Sequence, residues 1–207
     1  MNLRPDRLVF LDVDTQRDFM HPDGALPIPH AADIILNLDR LNRFARRHHI
    51  PIIATACAHT PEHPDPDPFP PHCLLGSPGQ HRIPETHWGE QSVVLSIEDR
   101  FPLHQPLPPH LTLHKHRYDV FSRPDADPLL RRYAASGKTF VVYGVATEYC
   151  VRAAVLGLRQ RHIPTAVVID AIRPVDPSRE PSVLQEFIEH GALLTLTDAI
   201  CADPLPA

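Results

Sequence analysis

A surplus of basic residues, a membrane-length apolar run and a disulfide-rich framework are all missing from this sequence, and each lack removes a class of protein. Lys and Arg number 20 against 25 Asp and Glu, giving a formal charge of -5 and a pI near 6.3. That balance offers neither the electrostatic footprint of a nucleic-acid binder nor a cationic face for a membrane. Nothing approaches the ~18 apolar residues of a membrane span. The opening MNLRPDRLVF lacks the apolar centre of a signal peptide, so a cytoplasmic protein is expected. Four cysteines, at positions 57, 73, 150 and 201, are too few to staple a chain of this size. Reduced thiols in packing, metal binding or catalysis are expected instead. The motifs G-x-x-x-x-G-K-[ST], G-x-G-x-x-G and G-x-S-x-G are also missing, which argues against a nucleotide cofactor and a serine elbow.

What is present reads as an α/β protein. At 207 residues, with 43% apolar and 22% charged composition, the chain is expected to form one domain with a sizeable core. Its 25 prolines run at about twice the usual frequency, in clusters that mark loops. Short, nearly continuous apolar runs at 7–13 (RLVFLDV), 51–57 (PIIATAC), 139–145 (TFVVYGV) and 164–170 (PTAVVID) have the pattern of strands covered on both faces. Weaker strand candidates lie at 92–96 and 111–115, and GALLTLT (191–197) closes the series. Between them, Ile34, Ile35, Leu38, Leu41, Phe44 and Ala45 recur at helical spacing. Further helices are expected over about 125–136, from Thr147 onward, and over 179–190. Strand alternating with helix predicts a mainly parallel sheet with helices on its faces. The stretch 59–90 has no clear period and reads as one long proline-rich loop, its EHPDPDP segment solvated.

In such sheets, sites gather at the carboxyl ends of the strands. Asp14, Cys57, Lys115 and the turn VATEYC all fall at or just past predicted strand ends. Cys150 lies in the first turn of a helix entered directly from a strand. Backbone N–H groups and the helix dipole there favour a thiolate, and could hold an oxyanion. Position alone leaves Cys150 equally readable as a small buried apolar residue, Lys115 as a solvated strand end and Asp14 as a cap. Their joint appearance supplies a proton acceptor, a cation and a nucleophile at one sheet edge, which turns the reading toward catalysis.

The segments VFLDVDTQRDFMHPDGALPIP, FPPHCLLGSPGQ, LHKHRYDVFS and VVYGVATEYCVRAAVLGL together resemble the isochorismatase-like cysteine hydrolases, nearest the nicotinamidase branch. The resemblance implies a three-layer α/β/α sandwich with a mainly parallel six-stranded sheet. It implies Asp14 as base, Lys115 as its partner and Cys150 as nucleophile, with Gln16 and Asp18 in support. It also implies a non-proline cis peptide, between Val145 and Ala146, and an oxyanion hole from the backbone N–H groups of Ala146 and Cys150. True isochorismatases carry Asp where Cys150 stands, so amide cleavage through a thioester is the implied reaction.

Nicotinamidases resemble one another in a metal site as well, and the corresponding residues here are Cys57, His59 and His72. Cys57 stands where Asp is usual and is open to a packing role. Thiolate and two imidazoles favour zinc. Phe19 and Phe69, with Tyr149, are expected to hold a flat ring. The expected partner is a small amide, nicotinamide-like, with no nucleic acid or membrane, in a homo-oligomer (dimer or tetramer). Two rival readings stay open. One is the same machinery acting on a ureido or carbamoyl acid, with Arg117 or Arg152 as the cation. The other is a non-catalytic metal- or ligand-binding relative.

Overall fold

A computed structural model of the protein describes residues 3–60 and 69–202; the whole EHPDPDP segment lies outside them. The strands are β1 (Leu8–Val13), β2 (Ile52–Cys57), β3 (Val93–Leu95), β4 (His110–Lys115), β5 (Thr139–Val145), β6 (Thr165–Arg173) and β7 (Leu193–Thr195). They form one parallel sheet in the order β3-β4-β2-β1-β5-β6-β7. The sheet therefore has seven strands where six were expected. The edge strand β7, foreseen in GALLTLT, has three residues and pairs with β6, a length that leaves little open edge.

Every residue of β1, β2 and β5 is buried. Burying each Val, Leu or Ile contributes about 1.5–3 kcal/mol, so this centre carries much of the stability. The helices are α1 (Arg17–Met20), α2 (Ile35–Arg47), α3 (Ala126–Tyr133), α4 (Arg152–Gln160), α5 (Glu180–Glu189) and α6 (Thr197–Ile200). In α2 the predicted stripe of Leu38, Leu41, Phe44 and Ala45 is buried. The helix predicted over 125–136 ends sooner, at Tyr133, because a 3-10 turn with left-handed Ser136 and Gly137 follows.

From β1 the chain grows through β2 toward β3 and β4. From β5 it grows the other way, through β6 to β7. Right-handed crossovers then put helices on opposite faces for the two halves. Accordingly α2 packs with α6, and α4 with α5, closing three layers. The order reverses between β1 and β5, and a crevice opens there at the carboxyl ends of the strands. Gly144, at φ 115°, allows β5 to press against β1, since a Cβ there would lie 2.0 Å from the Val13 carbonyl oxygen. The next peptide bond, Val145–Ala146, is cis.

Candidate active site

Register explains which side chains meet. Cys57 pairs with Lys115 across β2 and β4, and Thr55 pairs with both Leu113 and Val13. Side chains of one strand alternate between faces, so Thr55 and Cys57 share a face, and Lys115 joins them there. Asp14 follows β1 with φ 50°, a left-handed conformation that costs energy in a non-glycine residue. Its carboxylate thereby arrives on the side of Thr55, whose hydroxyl donates to Asp14 Oδ1 at 2.6 Å. Asp14's other oxygen, Oδ2, lies 2.7 Å from Lys115 Nζ.

Lys115 is the centre of the cluster. Its ammonium reaches Asp14 Oδ2, Cys57 Sγ at 3.3 Å and Cys150 Sγ at 3.3 Å. All four residues are nearly or wholly buried. Burial alone would lower the lysine's pKa. The Asp14 charge, then the two sulfurs, outweigh it and hold the ammonium well above its usual range. The two thiols act on each other. A hydrogen bond from Cys150 carries Cys57 down to about 6, against burial and Asp14, with help from Lys115 and His59. That same bond, followed by burial and Asp14, pushes Cys150 upward. The two sulfurs thus titrate as a coupled pair beside one ammonium.

Cys150 comes from a π-helical turn, Thr147–Val151, that leads from β5 into α4. Such turns recur at functional sites. Glu148, also in it, accepts from the backbone N–H of Val175 at 3.1 Å and of Asp176 at 2.7 Å. This ties the RPVD segment after β6 to the mouth of the site. Gln16 clamps the end of β2: its amide donates to the carbonyls of Cys57 (2.8 Å) and Gln80 (2.7 Å) and accepts from Cys57 N–H (2.7 Å). Asp18 braces two loops by accepting from Cys73 N–H at 2.7 Å and Ala25 N–H at 3.0 Å.

Above Cys150 lies a narrow pocket walled by Phe19, Leu26, Ile28, Phe69, Tyr118 and Tyr149 together with His72, Val175, Ala146 and the two thiols. Phe19, Phe69 and Tyr149, expected to hold a flat ring, all line this pocket. Their rings form a continuous wall. Phe19 meets His72 at 5.2 Å, Phe69 meets Tyr149 at 5.5 Å, and Tyr118 meets Tyr149 at 5.1 Å between centroids. Neither cation offered for a carbamoyl acid lines this wall. Arg152 is held by Glu186 through two bonds of 2.6 Å, and Arg117 is exposed.

The expected ligand set is divided. His59 and His72 stand together, ring centroids 4.9 Å apart, and His72 Nδ1 sits 2.9 Å from the Pro70 carbonyl. Cys57, which His59 still reaches, is drawn into the lysine cluster by its register with Lys115. Among the described residues, the three ligand-type groups that gather within 4.8 Å are Asp14, Cys57 and Cys150, not Cys57, His59 and His72. Thr55, Tyr118 and Glu148 were missed by the sequence reading. Thr55 was findable, two residues before Cys57 on the same strand face; Glu148 had no signal of its own.

The fold agrees with the comparisons. The isochorismatase domain matches residues 8–199, and the chain belongs to the isochorismatase family, as a hydrolase of that family. A nicotinamidase from Saccharomyces cerevisiae is 26% identical over 204 residues, covering 86% of this chain and 92% of the yeast protein. The crystal structure of a pyrazinamidase from Pyrococcus horikoshii in complex with zinc is 26% identical with a TM-score of 0.73, covering 92% of this chain and 99% of that one. An N-carbamoylsarcosine amidase from Thermoplasma acidophilum shares the fold at 22% identity and a TM-score of 0.71, covering 93% of this chain and 97% of that one. Among the described residues no helix is long and apolar enough to cross a membrane.

Proposed function

We propose that the protein is a cysteine amidohydrolase that cleaves a small, flat, uncharged amide of the nicotinamide type to the acid and ammonia. The observation that carries this reading is the Lys115 ammonium, in reach of both the Asp14 carboxylate and the Cys150 sulfur, beneath an aromatic pocket. Asp14 takes the thiol proton and Cys150 attacks the amide carbon. The backbone N–H groups of Ala146 and Cys150 receive the developing oxyanion. Collapse expels ammonia with the proton returned by Asp14, leaving a thioester. Asp14 then draws a proton from water, which hydrolyses it. Lys115 keeps carboxylate and thiolate together in a dry site that would otherwise protonate one of them.

No charged Asp, Glu, Lys or Arg side chain lines the pocket itself, which supports a neutral substrate over a carbamoyl acid. The Arg179 guanidinium, however, stands outside it over the Tyr149 ring at 5.8 Å. A divalent metal, with zinc favoured, fits His59 and His72, since paired imidazoles suit that ion. It does not fit the group of Asp14, Cys57 and Cys150, because the lysine ammonium already fills its centre and would repel a second cation. When bound, zinc would supply a Lewis-acid contact for a ring nitrogen or water at the pocket wall. No step above depends on it.

The test is ammonia release from nicotinamide by the wild type and by Cys150→Ala, each with added zinc and with a chelator. Release by the wild type and none by the variant is expected. Equal release from both would overturn the thiol mechanism. Silence from a wild type whose Cys150 still alkylates rapidly would overturn nicotinamide as the substrate.

A further inference from the structure

The hydrolysis above needs one thiol, yet the cluster holds two. Cys57 and Cys150 lie with their sulfurs within 4.8 Å of each other, each 3.3 Å from the same ammonium, and both open on the same pocket. Cys73, though buried, does not line that pocket, and Cys201 lies beyond α6. A buried nucleophile with no part in the reaction, adjacent to one that has a part, is the arrangement of a resolving thiol.

We infer that Cys57 resolves oxidised Cys150, so that peroxide converts the pair into a reversible disulfide which switches the site off. In the first step the proton held between the two sulfurs passes to Cys57, and the Cys150 thiolate so formed attacks one oxygen of hydrogen peroxide. The O–O bond breaks, hydroxide leaves and is protonated to water, and Cys150 becomes a sulfenic acid. In the second, the Cys57 thiolate attacks that sulfur, the S–O bond breaks, and a second water departs. Two thiols and one peroxide thus give one disulfide and two waters, the sulfurs losing two electrons and the peroxide gaining them. An external dithiol reverses it by exchange, ending as a disulfide itself.

Several features favour the pair. The Lys115 charge touches both sulfurs, so whichever is deprotonated is stabilised for attack. The pocket admits a molecule as small as peroxide although both thiols are otherwise buried. Bonding requires the sulfurs to close to about 2 Å. Cys57 is anchored at the end of β2 by the Gln16 clamp, so the movement falls to the π-helical turn that carries Cys150. Once formed, the bond removes the nucleophile and takes both sulfurs from the lysine.

The inference rests on the proposed hydrolysis for its effect on activity only, and its chemistry is read without any substrate. Full-length protein is treated with a small excess of hydrogen peroxide, the remaining thiols are alkylated, and the digest is mapped without reduction. The expected product is a crosslinked peptide joining Cys57 to Cys150, with the protein mass lower by two hydrogens. Dithiothreitol should restore both thiols and, with them, nicotinamide hydrolysis. In Cys57→Ser, Cys150 should instead gain two oxygens as a sulfinic acid that dithiothreitol does not reverse. Cys73→Ser and Cys201→Ser should still form the crosslink. A wild type in which Cys150 reaches the sulfinic acid while Cys57 stays alkylatable would overturn the inference, as would a crosslink to Cys73 or Cys201. Failure of nicotinamide hydrolysis with the crosslink intact would count against the substrate alone.

Discussion

Cys57 and Lys115 are register partners across β2 and β4, and the sulfur of one stands 3.3 Å from the ammonium of the other. That pairing places Cys57 in the reactive cluster while His59 stays within its reach. It also makes the chemistry of Cys150 depend on a neighbour. Cys57 is the largest of the influences that push the Cys150 thiol upward. In Cys57→Ala, that influence is gone, so the pH profile of Cys150 alkylation by iodoacetamide should move to lower pH. The check is peptide-resolved alkylation between pH 5 and 9; an unmoved profile would mean that the two thiols do not share a proton.

Asp14 and Lys115 are wholly buried as a pair, so removing either partner leaves the other charge without its counter-ion. Asp14→Asn should reduce kcat for amide hydrolysis by about 10²–10⁴, the usual scale for a general base, and should also lower stability. Lys115→Met leaves a buried carboxylate without its cation and should cost about 3–5 kcal/mol in denaturant unfolding. Combining the two should recover most of that stability and none of the activity. Recovery of activity in the double variant would remove Asp14 from the reaction.

His110 titrates against folding. It is fully buried in β4, its ring stacked on Trp88 at 4.6 Å and its Nδ1 2.8 Å from Ser92 Oγ. Burial, aided by Arg82 and Arg46, takes its pKa from 6.5 down to about 3. As pH falls through 6.5 the unfolded chain binds a proton there that the folded chain refuses. Stability is therefore lost between pH 6.5 and about 3, at up to about 1.4 kcal/mol for each pH unit. In His110→Phe, which keeps a ring against Trp88, the fall in Tm from pH 7 to 4.5 should be smaller than in the wild type. Parallel falls would assign the acid sensitivity to other groups.

Much of the fold was legible because the central strands carry their own signal. A strand covered on both faces must be apolar throughout, and β1, β2, β5 and β6 are continuous runs bounded by turns. Strand ends then told where Asp14, Lys115 and Cys150 would emerge. What stayed hidden depends on geometry that no local pattern encodes. The left-handed turn at Asp14 breaks the alternation that would have sent its carboxylate to the opposite face. The π-helical turn around Cys150 has no periodicity to recognise over five residues. Whether Cys57 faces imidazoles or a lysine is decided by pairing with a strand more than fifty residues away. The loop after β2 looked structureless, yet residues 69–91 are fastened by Asp18, Gln16 and a buried pair between Arg82 and Asp12, side chains that sequence spacing does not connect.

The aromatic wall tests the substrate reading directly. Phe69 and Tyr149 meet edge-on at 5.5 Å, and Tyr118 continues the wall at 5.1 Å from Tyr149. The Phe69 side chain carries no hydrogen-bonding group, so truncating it should weaken substrate binding more than the chemical step. Aromatic contacts of this kind contribute about 0.5–1.5 kcal/mol beyond area. Phe69→Ala should therefore raise KM for a flat amide about two- to tenfold with kcat nearly unchanged. Phe69→Trp should restore binding, since a larger ring keeps the edge contact. The same variants assayed with an aliphatic amide should show little change in KM, because no ring is there to stack. Equal losses for flat and aliphatic amides would make Phe69 a packing residue of the loop and leave the flat-ring substrate without its main support.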